Sequence, residues 1–358
     1  MAAGPRERLN HRVTSDAPGW DAIDAALERL YPGVEPKHFA TLIKWRLGGP
    51  DPLDGISYYP RLDPVPHWHI VSYGMSELYG KESANAEESG WGFEFTFRLR
   101  RDAADDDPPI WAANFLQNLA RYVFETGNWF EVNHHMDLNG PIALDQETLI
   151  RAIAFTEDPE LGTIETPHGI VQFLQIVGLT PDEYAATQAW SVRDLLDLLA
   201  ERLPLLVTDL DRGSATDDPV IAEAVEEGRR REGSATASLA VAEFSWRRDG
   251  DLIRLVVGAH IAERVAQTLL GRLPFGRQLV VNGPDATAVF SSGSFSVGTA
   301  EESDTLAVVL TVEALDGLVS VLVPEAGVRA VPAAESLVVE ITRSDLRDGD
   351  GNLVETIG

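Results

Sequence analysis

The sequence predicts an α/β-type protein (mixed α+β sheets) in two domains, each a mixed sheet packed with helices. Three observations carry this expectation. The 358 residues exceed the roughly 250 that one hydrophobic core usually organises. Period-two and period-3.6 apolar patterns occur side by side along the chain. The composition changes at 233–238, Gly-Ser-Ala-Thr-Ala-Ser, which reads as a domain boundary. The expected division is a disordered tail over 1–18, an N-terminal domain over 19–233, a smaller C-terminal domain over 234–345 and a polar tail over 346–358.

The elements follow from local pattern. Ile23, Ala26, Leu27 and Leu30 share a helix face over 20–31, and Pro32-Gly33 stops it. Leu47-Gly48-Gly49-Pro50-Asp51-Pro52 excludes regular structure. Strand 67–73 places His67, His69, Val71 and Tyr73 on one face; strand 93–99 places Phe93, Phe95, Phe97 and Leu99 on one face, with Glu94, Thr96 and Arg98 on the other. Trp111, Phe115, Leu119 and Tyr122 keep helical spacing over 110–126. Segments 148–155, 169–178 and 204–210 read as strands, and Thr180-Pro181-Asp182-Glu183 as a helix start. A polar helix spans 219–232. A hairpin turning at Asp249-Gly250 joins strands 239–246 and 252–258. Helices near 260–271 and 312–322 and strands near 277–282, 287–291, 305–311 and 336–342 complete the pattern.

Charge narrows the partners. The net charge of −28 disfavours nucleic acid and anionic membrane surfaces and suits basic protein segments. No apolar run approaches the roughly 20 residues of a membrane helix, and residues 1–19 lack a signal-peptide pattern, so a cytoplasmic location is expected. With no cysteine, thiol catalysis and Cys-ligated metals are excluded.

Catalytic motifs fail in turn. Gly74-Met75-Ser76-Glu77-Leu78 lacks the last glycine of a nucleophile elbow, and Gly90-Trp91-Gly92 opens a strand rather than a phosphate-binding helix. Asp348-Gly349-Asp350-Gly351-Asn352 has Leu353 where a calcium loop needs glycine. Asp209 and Asp211 read as a solvated strand-end pair. The alternative to a binding protein is a metal-dependent or hydrolytic enzyme using His67, His69, His134 and His135. These lack recognisable ligand spacing, so no metal and no cofactor is expected.

One feature rises above this background. Trp45-Arg46-Leu47-Gly48-Gly49-Pro50-Asp51-Pro52-Leu53-Asp54 resembles the G-G-P-D-P-L-D signature of the suppressor of fused family. Further blocks agree in order: Pro66-His67-Trp68-His69, Ser72 to Gly80, Gly92 to Leu99, Leu119 to Phe124, Thr156-Glu157-Asp158-Pro159 and Phe173 to Gly178. The likeness covers about 20–215 and thins beyond 235. The resemblance implies a non-enzymatic, two-domain protein that binds a partner's segment as an added strand in an interdomain groove. Animal members hold Gli-type transcription factors this way.

Carried over by position, the groove residues are Tyr122, His134, Leu239, Ala240, Val241, Ala242 and His260. His134 and His260 fall where animal members carry carboxylates, with Glu263 as the alternative match, so a Gli-like ligand is not expected. Two imidazoles there would make selectivity pH-sensitive. Only a tight turn at 247–251 stands where animal members have a long insertion. The excess of Arg over Lys suggests a bacterial source, where members of this family are suspected immunity proteins. The expected function is therefore sequestering or neutralising a protein partner, with a basic toxin as a candidate; a structural adaptor is the further alternative.

Overall fold

The computed structural model describes residues 16–299, 305–347 and 352–358. Most of the expected N-terminal tail, and Asp348 to Gly351 of the acidic C-terminal loop, lie outside them. Contacts divide the chain into two units: residues up to Pro181 with Leu196–Ser214, and Asp182–Leu195 with Ala215–Gly358. This division differs from one at 233–234. Segment 182–195 and the polar helix 219–232 join the second unit, because Trp190 Nε1 donates to Glu232 at 2.9 Å and Ala235 N donates to Trp190 O at 2.6 Å.

The first unit contains α1 (Pro18–Leu30), β1 (Lys37–Ala40), β2 (Gly55–Arg61), β3 (His67–Tyr73), β4 (Glu88–Arg100), α2 (Ile110–Thr126), β5 (His135–Asp137), β6 (Ala152–Glu157), β7 (Thr163–Thr166) and β8 (Gly169–Leu179). They form one sheet in the order β1-β2-β3-β4-β8-β6-β5, with β7 also on β8; β4 and β8 are parallel. Phe93, Phe95, Phe97 and Leu99 pack with Phe115, Leu116, Leu119 and Val123 of α2. Ile23 and Leu27 of α1 pack with Tyr59, Val71, Tyr73 and Phe173. Helices thus cover both faces, so Glu94, Thr96 and Arg98 are buried as fully as the phenylalanines opposite.

The chain continues with α3 (Pro181–Ala189), α4 (Val192–Ala200), α5 (Pro219–Glu232), β9 (Ser238–Ala240), β10 (Phe244–Asp249), β11 (Leu252–Gly258), α6 (Ala259–Arg272), β12 (Leu279–Asn282), β13 (Thr287–Ser292), β14 (Ser296–Thr299), β15 (Thr305–Leu310), α7 (Val312–Val321), β16 (Gly327–Ala330), β17 (Leu337–Thr342), β18 (Ser344–Arg347) and β19 (Leu353–Ile357). Three sheets result: β10-β11-β17-β16, β14-β15-β13-β12-β9 and the pair β18-β19. Val265 and Leu269 of α6 and Leu318 of α7 share one core with Leu255, Val281, Phe290, Val308 and Val339 from the two larger sheets. Among the described residues no sheet takes strands from both sides of 180–237.

Three local expectations are corrected. Segment 204–210 is not a strand: Pro204–Leu206 is a 3-10 turn, Leu205 and Leu206 have φ of 55° and 52°, and a single bridge joins Thr208 to Leu99. Its apolar residues signal burial, which a loop under the sheet satisfies as well as a strand does. Segment 239–246 is two strands in different sheets. Val241 N donates to Asn282 O at 2.8 Å, and two residues later Glu243 O accepts from Gly258 N at 2.9 Å, so the backbone passes from one sheet to the other. Residues 344–347 and 353–357, expected at the edge of and within a polar tail, pair as β18 and β19.

Candidate functional site

In the first unit, Tyr122 and His134 flank one surface segment. Tyr122 is 37% exposed on α2, and its ring stacks on Phe130 at 5.6 Å. Asn133, at φ 70°, turns the chain so that His134 stands exposed just before β5. His134 Nε2 lies 3.9 Å from Glu131 Oε2. β5 pairs only with β6 and ends the sheet, so its other edge is unpaired by any described strand.

In the second unit, Leu239, Ala240, Val241 and Ala242 run along β9 and just beyond it. Leu239 and Val241 are buried, while Ala240 and Ala242 are exposed. β9 is the edge strand of its sheet and pairs in parallel with β12. Ala237 O and Val241 N bond to β12, so by alternation the N–H of Ala240 faces the open side. His260 begins α6; its Nδ1 lies 2.9 Å from Ser344 Oγ and 3.2 Å from Glu243 Oε2. Each histidine therefore has a carboxylate beside it, Glu131 or Glu243. Glu263 is exposed one turn further along α6.

The enzyme alternative rests on His67 and His69 of β3 and on His134 and His135 at β5, strands separated in the sheet by β4, β8 and β6. Ser344 Oγ and Glu243 both meet Nδ1 of His260, whereas a hydrolytic triad needs serine on one imidazole nitrogen and the acid on the other. His67 and His69 do share a face, but inside the protein. His67 Nδ1 pairs with Val65 O at 2.7 Å; His69 joins Tyr31 Oη at 2.7 Å and Asp158 Oδ2 at 3.1 Å. Burial lowers both imidazoles to a pKa of about 4, with the Arg98 charge adding to the effect. Arg98 Nη2 donates to Asp158 Oδ1 at 2.8 Å. Burial opposes ionisation of Asp158, but His69, Arg98 and the Glu160 N–H outweigh it and hold the carboxyl well below its ordinary range. His135 sits in β5 opposite Ala154, and Asp209 pairs with Arg100 at 3.1 Å. Among the described residues no group of three or more His, Asp or Glu side chains is placed to hold a metal ion.

The signature blocks converge on a cleft of about 510 Å³ in the first unit, which residue-by-residue reading did not mark as a site. Trp45, Arg46, Pro52 and Asp54 come from the first block, Gly74 to Gly80 from the Ser72–Gly80 block, and Glu82, Ser83, Gly90, Trp91 and Phe124 complete the lining. The glycines are steric: a Cβ on Gly49 would lie 1.8 Å from Ile43 O, and one on Gly90, at φ 59°, 2.7 Å from Met75 O. Two carboxylates hold the walls. Buried Glu94 accepts from Gly74 N, Ser76 N and Ser76 Oγ at 2.9, 2.9 and 2.6 Å; burial pushes its pKa up despite these donors. Glu77 is lowered to about 2, because the N–H groups of Ser83, Glu82 and Gly90 and the Lys81 ammonium outweigh its burial.

Comparison with known proteins agrees with these blocks. The family model described as suppressor of fused protein matches residues 49–213. The human suppressor of fused homolog is 37% identical over 245 residues, 64% of this chain; the chain thus spans half the length of that relative. A crystal structure of Drosophila Suppressor of Fused matches 94% of this chain and 96% of its own at a TM-score of 0.73 and 23% identity, which shows a common fold. A chain of the Sufu–Fu complex crystal structure is 33% identical, with 59% of this chain covering 98% of it at a TM-score of 0.55. Identity at that level across nearly all of a solved relative places this chain in the suppressor of fused family.

Proposed function

We propose that this chain is a non-enzymatic protein-binding module that takes a segment of its partner as an added strand. The observation that carries the reading is that β9 is an edge strand with the Ala240 N–H facing outward. Main-chain bonds along such an edge give affinity, and flanking side chains give selectivity. In the second unit His260 is a selecting side chain; Tyr122, His134 and the open edge of β5 are the corresponding features of the first unit. The solved relative from a Sufu–Fu complex supports partner binding as the mode of action.

Glu131 and Glu243 beside the two histidines, in a chain of net charge −28, favour a basic segment. That suits neutralisation of a basic protein in the cytoplasm, including a toxin for which this chain acts as the immunity protein. Nucleic acid and membrane surfaces are not the partners in this reading.

The test is capture of partners from the native host, comparing the natural chain with Ala240→Pro and with Tyr122→Ala plus His260→Ala. Proline removes an outward N–H without removing a bond to β12. The same basic protein should be captured by the natural chain and lost with both variants, while their thermal midpoints stay near the natural value. Undiminished capture by both variants overturns the reading.

A further inference from the structure

We propose that the cleft of the first unit is a second docking site, independent of the strand edges, for a partner segment that carries bulky apolar side chains next to a carboxylate. Its wall is aromatic and only half-buried: Trp45 and Trp91 meet Phe124 edge-to-face at 5.5 and 5.6 Å, and Trp45 is 37% exposed. The apolar surface continues along the same loop. Leu42, Ile43 and Leu47 are 100%, 57% and 73% exposed. Exposure on that scale within six residues contributes nothing to the core and marks an interaction surface. The volume, about 510 Å³, takes more than one large side chain.

The charges at the cleft select the sign of the ligand. The chain has only three lysines, and two of them, Lys44 and Lys81, lie behind the lining, against its acids. Both are already paired, Lys44 with Asp54 and Lys81 with Glu77, each at 3.0 Å. Arg46 is different. Its guanidinium lies over the Tyr79 ring at 4.3 Å, and no described carboxylate forms an ion pair with it. The stacking leaves its donor edge free for a carboxylate, which a guanidinium binds in bidentate fashion. Glu82 is an exposed acid on the same rim; its backbone N–H donates to Glu77 Oε1, and no ion pair joins its carboxylate to Arg46. The Tyr79 platform is itself fixed, since its hydroxyl donates to Asp54 at 2.7 Å. Glu94 and Glu77 tie down residues 74–90 of the lining, so the cleft exists before a ligand arrives and little ordering cost is added on binding.

The occupant is therefore an apolar, acidic linear segment of another protein, the opposite in charge to the basic segment proposed for the strand edges. The probe is a phage library of random peptides selected against the full chain. Peptides with Leu, Phe or Trp next to Asp or Glu should be enriched. Synthetic versions should bind the natural chain and lose about tenfold or more in affinity with Trp45→Ala. Arg46→Glu should shift the preference to the same peptides with Lys replacing Asp and Glu. Circular dichroism of Trp45→Ala, with binding also measured for Leu47→Ser, a milder change on the adjoining loop, separates lost binding from lost folding. The inference fails if charge-reversed peptides are enriched equally by the natural chain, or if binding survives Trp45→Ala and Arg46→Glu. It also fails if the natural chain is a dimer in sedimentation that Trp45→Ala splits, because the occupant is then a second copy.

Discussion

His69 Nε2 lies 3.1 Å from Asp158 Oδ2, and both side chains are wholly enclosed between β3, β4 and the turn after β6. The pair belongs to a chain of contacts that runs from Tyr31 through His69 and Asp158 to Arg98 and Gln175. Every member sits on the sheet face opposite the phenylalanines. On that side of the sheet the first unit therefore carries a buried polar network beside the apolar cluster under α1, while the side under α2 is apolar.

That layer makes stability depend on acid. The folded-state pKa of His69 is about 4, against an ordinary 6.5, so the unfolded chain binds more protons between those values. Stability is then present at neutral pH and declines as pH falls from about 6.5 toward 4. His69 accounts for about 3 kcal/mol of this loss, and His67 adds in the same direction. Glu94, whose pKa is raised, works in the opposite sense. A thermal midpoint that stays level from neutral pH down to about pH 4 would contradict the assignment; His69→Gln should flatten part of the slope.

Removing one partner of the buried ion pair should be costly. Asp158→Ala leaves Arg98 enclosed without its carboxylate, a loss of about 3–5 kcal/mol. Calorimetry should show the midpoint lower by roughly 10 °C. A change within error would mean that Glu160, 3.1 Å from Arg98 Nη2, takes over the charge.

Gly228→Ala sets two effects against each other. Alanine gains about 1 kcal/mol of helix propensity in α5. The added Cβ, however, would stand 2.1 Å from Cε2 of Trp190. Overpacking of this kind costs about 1–3 kcal/mol, so net destabilisation is expected in denaturant unfolding. Net stabilisation would show that Trp190 can move aside.

Metal analysis of the purified chain should find no stoichiometric transition metal. Both nitrogens of His69 and the Nδ1 of His67 are engaged with protein groups. Tightly held zinc at one per chain, lost on replacing His67 and His69 together, would overturn this.

Much of the fold was legible locally. Helix 110–126 and strand 67–73 coincide with α2 and β3, because each carries its period in its own residues and is bounded by turn-forming neighbours. Helix 219–232 coincides with α5 for the same reason, with Asp218 capping it and Gly233 closing it. Short edge strands such as β1, exposed at all four residues, were not legible, since a strand that buries nothing shows no alternation.

What the sequence by itself determined was the mixed α/β class, the long central elements and, through its ordered Gly-Pro-Asp and Gly-Met-Ser blocks, the family. Only the tertiary structure decided what those residues meet. His67 and His69 were readable as one face of a strand, but whether that face saw solvent, metal or Asp158 depended on Asp158, 89 residues beyond His69. The split of 239–246 was decided by Asn282 and Gly258, which take up alternate ends of the segment. Arg46 and Tyr79, which meet across the cleft, lie in different blocks of the signature. Periodicity records a residue's neighbours within a few positions, and hydrophobicity records whether it is buried. Neither records the distant polar partner that completes a buried charge or an open cleft, because that pairing is fixed by packing and not by local propensity.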